Sequence, residues 1–197
     1  MTTGKLLVAP MLASDARQLV AERHYLRRKP PVSYAFGLYQ DVAVVGVITF
    51  GIPASHHMLL SACPTDTKKV IELNRLWVTD AMPRNTESWF IARALNLLPA
   101  KIVLSYADTS FGHAGYVYRA ANFFYAGYTD MERKTPRFDY VVEGKHSRDA
   151  FRCGKFERVR RKPKMKYWTV TGNRREQREL KRLCTWPVLD YREVYPK

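Results

Sequence analysis

The sequence predicts an α/β domain, a mixed central sheet flanked by helices with a basic C-terminal extension. Three observations carry this. Short β-branched and aromatic runs alternate with segments of helical apolar spacing. One run, residues 101–107, is apolar almost throughout, as a strand covered on both faces requires. The 197 residues suit one domain of ordinary globular composition, 46% hydrophobic and 26% charged.

Taken in order, Lys5–Ala9 reads as a first strand. Its apolar stretch is short for a signal-peptide core and is interrupted by Pro10. Ser14 or Asp15 can cap a helix that runs to about His24, with Ala16, Leu19 and Val20 on one face. Pro30 and Pro31 make residues 25–31 a loop. Residues 32–39 and 42–50 form a hairpin about Gln40 and Asp41. Pro53 and Pro64 bracket a stretch, 51–67, that reads as loop, His56 and His57 included. Lys69–Thr79 alternates as a strand, with Glu72 and Asn74 on one face and Arg75 on the other. A turn at 80–86 leads to a helix over 87–98, and a strand over 101–107 to a helix over 114–122. Strands follow at 124–128 and 138–142, and a helix at 174–183.

The longest apolar runs fall far short of the roughly 20 residues that span a bilayer, so no membrane span is expected. Three cysteines (Cys63, Cys153, Cys184) without a CxxC point to a reducing compartment, without a disulfide framework or structural zinc. The net charge is +15, and residues 145–182 alone carry +11. Basic side chains there are interleaved with Phe151, Phe156, Tyr167 and Trp168, which pairs charge with stacking surface and points to nucleic acid. The expected division is therefore a core over 1–144 and a basic segment over 145–197 packed on it, contacting nucleic acid through Arg158, Arg160, Arg161, Lys162, Lys164 and Lys166, with Arg27, Arg28 and Lys29 in the early loop and His113 in a glycine-flanked loop as further contacts.

Asp108 ends an apolar strand, where a carboxylate stands beside a site in an open α/β sheet or caps the next turn. Tyr118 can act as a proton donor or pack in the core. His24 and Tyr25 follow a helix end, where the imidazole can be a stabilised cation, a base or a metal ligand.

The order strand, turn, helix, strand, helix, strand over 69–128 resembles the core of the GNAT acyltransferase fold. Tyr118-Arg-Ala-Ala-Asn-Phe123 followed by Gly127 is similar to its helix-to-strand segment, with Asn122 where a glycine is common. In place of the family's glycine-rich pyrophosphate loop stands Pro83-Arg-Asn-Thr-Glu-Ser88. His24-Tyr25, Glu72-Leu-Asn-Arg-Leu76, Asn85-Thr-Glu-Ser88, Ser105-Tyr-Ala-Asp108 and Gly112-His-Ala-Gly-Tyr116 with Tyr118, in this order, resemble the phage Mom family of DNA modification proteins. The resemblance implies an enzyme, a DNA adenine N6-modifying transferase. It would convert adenine to N6-(methylcarbamoyl)adenine in the cytoplasm of the infected bacterial host and so protect phage DNA from restriction. It further implies double-stranded DNA as partner with the adenine flipped, and Asp108, Tyr118, His24 and Tyr25 as catalytic residues. Arg84, Asn85, Thr86, Ser88 and Arg75 would bind a cofactor, acetyl-CoA or another acyl or aminoacyl donor, and iron is a further option. The alternatives are a GNAT N-acyltransferase acting on another acceptor and a non-enzymatic nucleic-acid-binding protein.

Overall fold

The computed structural model describes residues 5–129, 134–142, 145–146 and 156–191. Its elements are β1 (Leu6–Pro10), α1 (Ala13–Arg23), β2 (Tyr34–Gln40), β3 (Ala43–Gly51), α2 (His56–Ala62), β4 (Val70–Val78), α3 (Thr86–Asn96), β5 (Ile102–Asp108), α4 (Tyr116–Ala120), β6 (Phe124–Tyr128), β7 (Phe138–Val142), β8 (Lys145–His146), β9 (Glu157–Arg160), β10 (Lys164–Val170) and α5 (Arg174–Leu183). The main sheet has the order β1-β2-β3-β4-β5-β10-β6, and β7, β8 and β9 form a smaller one. Neighbours in the main sheet are antiparallel except β4 and β5, which run parallel. The mixed α/β sheet flanked by helices is thus the architecture that the sequence predicts.

The alternating strands feed two apolar layers. Phe36, Leu38, Ile48, Phe50, Ile71 and Val103 face Phe90, Ile91, Ala94 and Leu95 of α3. The residues between them in sequence face the other way. Ala35 and Val47 meet Ala16 and Val20 of α1, while Val70, Ile102 and Leu104 meet Leu59 of α2 and Leu180 of α5. Phe90 and Ile91 are fully buried, and each such side chain contributes about 1.5–3 kcal/mol. α5 starts where its sequence requires. The Asn173 side chain accepts from the Arg175 and Glu176 amides, and the Glu176 carboxylate accepts from the Asn173 amide.

Three expectations are corrected. Residues 56–62, read as loop with His56 and His57, are helix α2. The flanking prolines bound it, while Leu59 and Ala62 anchor it in the core. The first helix begins at Ala13, and no side chain caps it; Ser14 donates to Asp15 instead. The helix expected over 114–122 is one short turn, Tyr116–Ala120, between Gly115 (φ 72°) and Asn122 (φ 61°), whose left-handed backbone cannot be helical.

Residues 164–170, assigned from charge to a segment packed on the core, are an interior strand of the sheet. β10 lies between β5 and β6 and places Met165 and Tyr167 in one layer and Trp168 and Val170 in the other. Tyr167 and Trp168 are therefore core residues and offer no stacking surface to a nucleic acid. Phe156 is exposed, whereas Phe151 and Cys153 lie outside the described residues.

Candidate active site

The parallel pairing of β4 with β5 stops early. Val70, Ile71 and Glu72 pair with Ile102, Val103 and Leu104, and beyond that point the two strands separate although both continue. Ser105 bridges the start of the gap, its hydroxyl donating to the Leu73 carbonyl at 3.1 Å. The gap is the wedge of a cleft of about 340 Å³. It is lined by β4, the last residues of β5, the His24–Leu26 loop, the Gly112–Tyr118 segment and Lys164.

A bulge decides which side chains of β4 enter it. Leu73 pairs with Phe50 and Arg75 with Thr49, so Asn74 has no opposite number. The Asn74 side chain pins the bulge, accepting from the Thr49 hydroxyl (2.6 Å) and donating to the Pro31 carbonyl (2.8 Å). The extra residue inverts the alternation. Arg75, expected on the face opposite Asn74 and Glu72, shares the face of Glu72. Asn74 holds backbone rather than substrate.

The registers bring the other charged groups to that same face. Lys164 is paired with Asp108 across β10 and β5, and its ammonium lies 2.7 Å from the Asp108 carboxylate. Asp108 also accepts the Ser110 amide (3.0 Å), capping the short turn Thr109–Phe111. Both readings of Asp108 therefore hold together, turn cap and cleft residue. Burial pushes its carboxyl up, but Lys164 and the Ser110 amide outweigh burial and hold it below the ordinary value.

His24 is buried. Its Nδ1 accepts the Leu26 amide (3.1 Å), which leaves the proton of the neutral ring on Nε2. Burial first, then the charges of Arg75 and His113, lower its pKa to about 4. The option of a helix-stabilised cation is thereby corrected: desolvation and a neighbouring guanidinium overcome the helix end. Tyr25 stacks on His24 at 4.3 Å and meets Phe111 at 4.6 Å and His113 at 5.3 Å. Tyr25, Phe111 and Tyr116 are all exposed, so aromatic surface surrounds the cleft mouth. Tyr118 packs against Phe123 and Tyr167, and burial raises its hydroxyl to about 12, which keeps it a neutral proton donor at physiological pH. Deeper in, the Tyr106 hydroxyl and the Arg75 Nε are buried without a hydrogen-bond partner among the described residues, polar groups that a ligand can satisfy.

Asp108, Tyr118, His24, Tyr25, Arg75, His113 and Lys164 thus converge on one cleft. Arg84, Asn85, Thr86 and Ser88 stand at the start of α3, outside its lining, although Glu87 of the same turn belongs to it. The Thr86 and Ser88 hydroxyls donate to the Pro83 and Asn85 carbonyls, and Asn85 makes no side-chain cap. These residues cap nothing by side chain, and the first turn of α3 keeps its dipole end free of a side-chain acceptor. Arg27, Arg28 and Lys29 continue the loop whose Leu26 lines the cleft. Arg158 and Arg160 lie on β9, Arg161 is paired with Asp139, and Lys166 lies over the Trp186 ring at 5.1 Å. Lys162 follows on the exposed connection to β10.

Tyr106, within the Ser105–Asp108 motif, lines the cleft, and Glu72, Glu87 and Phe111 line or border it without having been among the expected site residues. Glu72 had a legible signal, an acidic residue inside an apolar strand. Among the described residues, no group of three or more His, Cys, Asp or Glu is placed to hold a metal ion, and the iron option gains no support. No described helix is long and apolar enough to cross a membrane.

Comparison with known proteins gives a sequence match and a set of structural likenesses. A model of the Mom protein family matches residues 5–196. A curated relative, methylcarbamoylase mom of Escherichia phage Mu, is 37% identical over 121 residues, covering 57% of this chain and 49% of the relative. The chain spans about half the length of that relative. An acetyltransferase of the GNAT family from Bacillus cereus has a TM-score of 0.49 at 12% identity, over 86% of this chain and 100% of that one. A Bacillus subtilis acetyltransferase in complex with CoA has a TM-score of 0.45 at 11% identity, over 83% and 97%.

Proposed function

The chain belongs to the Mom protein family, and from that premise we propose that it transfers a methylcarbamoyl group to N6 of adenine in double-stranded DNA, protecting phage DNA from restriction in the cytoplasm of the bacterial host. The observation that carries this reading is the cleft between β4 and β5. It gathers an anion (Asp108), a neutral phenol (Tyr118) and a guanidinium with a free donor (Arg75) beneath an exposed aromatic rim.

Adenine N6 is buried in base pairing and its lone pair is delocalised into the ring. Extruding the base costs a few kcal/mol of unstacking. Stacking on Tyr25, Phe111 or Tyr116 at the rim returns about 1–3 kcal/mol. Asp108, held ionised by Lys164, accepts a hydrogen bond from the N6 amino group and orients it. Tyr118 delivers a proton to the departing carrier. His24, uncharged, offers only its Nε2–H as a donor. The transferred unit arrives on an acyl or aminoacyl carrier. The phosphates of such a carrier, acetyl-CoA included, suit the first turn of α3, which has no side-chain cap, with exposed Arg84 beside it.

DNA is gripped on the smaller sheet. Phe138 pairs with Arg160 and Tyr140 with Arg158, so two arginines and two aromatics share one face, and Arg158 lies 3.8 Å from the Phe138 ring centre. Each phosphate that a side chain neutralises adds about 0.9 to the steepness of log affinity against log salt. Replacing both Arg158 and Arg160 by Ala is expected to flatten that slope by roughly 2 for a DNA duplex, measured by fluorescence anisotropy over a salt series. An unchanged slope removes β9 from the interface. The function itself is tested by challenging plasmid DNA from expressing cells with restriction endonucleases whose sites contain adenine. Resistance is expected; complete cleavage contradicts the reading.

A further inference from the structure

The cleft holds two carboxylates on one face of the sheet, and their surroundings differ. Asp108 is tied, to Lys164 by a 2.7 Å ion pair and to the Ser110 amide. Glu72 sits at the last paired position of the β4–β5 ladder, at the point of the wedge, and lines the cleft. Because Glu72 pairs with Leu104, and Asp108 lies four residues further along β5, both carboxyls face the same side as Tyr106 and Lys164. Among the described residues, the charges of Arg75, on its own strand, and of Lys164, on β10, act on Glu72 in favour of ionisation, and no hydrogen bond fixes its carboxyl. The Tyr106 hydroxyl from β5 also feels it, without bonding to any described residue. Tyr118 on α4 feels it too, and Tyr25, His24, His113 and Glu87 complete the groups that border the same space.

We propose that Glu72 is the catalytic base, taking the N6 proton of the acceptor adenine while Asp108 remains the fixed anion that orients the amine. This rests on the proposed adenine modification. As the N6 lone pair forms the new N–C bond to the electrophilic carbon of the donor, the bond from that carbon to its carrier breaks. The carrier keeps that electron pair and takes a proton from Tyr118, and the N6 proton goes to the Glu72 carboxylate. No oxidant or reductant is needed.

The environments support this division of labour. Burial lifts the Glu72 carboxyl to about 7, against the pull of Arg75 and Lys164, whereas Asp108 lies below the ordinary carboxylate value. A base needs a pKa near the working pH, and two carboxylates driven apart in this way take different roles. The elevated value also has a cost in stability that Gln avoids. The folded protein holds the Glu72 proton more tightly than the unfolded chain does. Stability on this account falls as pH rises from the unfolded value, near 4.5, through about 7.

Two measurements test the assignment, one of which needs no donor. Thermal denaturation of wild type and Glu72→Gln across pH 5–8.5 is expected to show the variant melting higher at pH 8, with the gap closing toward pH 5. A carboxylate kept for structure gives the reverse, and a variant that melts lower at pH 8 overturns the proposal. In expressing cells, Glu72→Gln is expected to lower the modified fraction of deoxyadenosine in plasmid DNA at least 100-fold, with Glu72→Asp between it and wild type and duplex affinity unchanged in both. Modification by Glu72→Gln within threefold of wild type also overturns it. If wild type itself modifies no adenine, it is the proposed function that fails, and Glu72 loses its role as a base with it. The melting comparison still reports whether its carboxyl is the elevated one.

Discussion

Asp108→Asn is expected to lower adenine modification at least 100-fold while leaving duplex affinity within about twofold of wild type. The carboxylate proposed to orient N6 is lost, and so is the anion that neutralises Lys164 at the cleft wall. The phosphate contacts proposed for β9 are untouched. The same substitution has a pH signature. The Asp108 carboxyl is held below its unfolded value, so its contribution to stability is present above about pH 4 and is lost as pH falls through the folded value. The acid side of the wild-type stability curve therefore steepens relative to that of Asp108→Asn, which chemical denaturation between pH 2.5 and 6 reads. A variant that loses duplex binding together with modification assigns Asp108 to holding the fold of the DNA-binding face. A variant that keeps full modification removes it from the mechanism.

Gly115→Ala is expected to be the most destabilising single-methyl change at the cleft. Gly115 has φ 72°, and a Cβ there falls 2.4 Å from the Tyr167 ring. Left-handed backbone costs an alanine about 1–2 kcal/mol, and overpacking about 1–3 kcal/mol more. Tyr167 cannot easily yield. It is fully buried in β10, and its hydroxyl donates to the Ala114 carbonyl at 2.8 Å. A loss of several kcal/mol lowers the melting temperature by roughly 5–15 °C in a chain of this size. Gly112 is the internal control. It has the same φ of 72°, but an added Cβ meets nothing within 4 Å. Gly112→Ala therefore carries only the backbone cost, about 1–2 kcal/mol. Equal losses in the two variants contradict the clash with Tyr167 as the source of the difference.

What the sequence discloses follows from which interactions are local. α5 is legible residue by residue because Asn173 and Glu176 form a capping box, and capping is written within four positions. β6 and β7 are legible because alternation and flanking turns mark them. β10 is not. Lys164 and Lys166 make it read as solvated, and only its place between β5 and β6 shows that Met165, Tyr167 and Trp168 are core. α2 is hidden for the opposite reason, since its prolines are visible and its tertiary anchors are not. In the cleft, Asp108 and Tyr118 are found from their positions at a strand end and in a motif. The parity of Arg75 is not found, because the bulge at Asn74 depends on Thr49 and on the Pro31 carbonyl, both distant in sequence. Nor can spacing say which of two carboxylates is tied and which is free. That is decided by Lys164, more than fifty residues beyond Asp108, and by the point at which β4 leaves β5.

Nucleoside mass spectrometry reads whether this cleft modifies adenine in DNA. Plasmid DNA from cells expressing the wild-type chain is digested to nucleosides and compared with DNA from cells expressing Asp108→Asn. A deoxyadenosine species heavier by about 57 Da, the mass added when a methylcarbamoyl group replaces hydrogen, is expected with wild type and is absent with the variant. A species heavier by about 42 Da identifies plain acetyl transfer and contradicts the group proposed here. Unmodified deoxyadenosine from folded, well-expressed protein contradicts the claim that adenine in DNA is the acceptor.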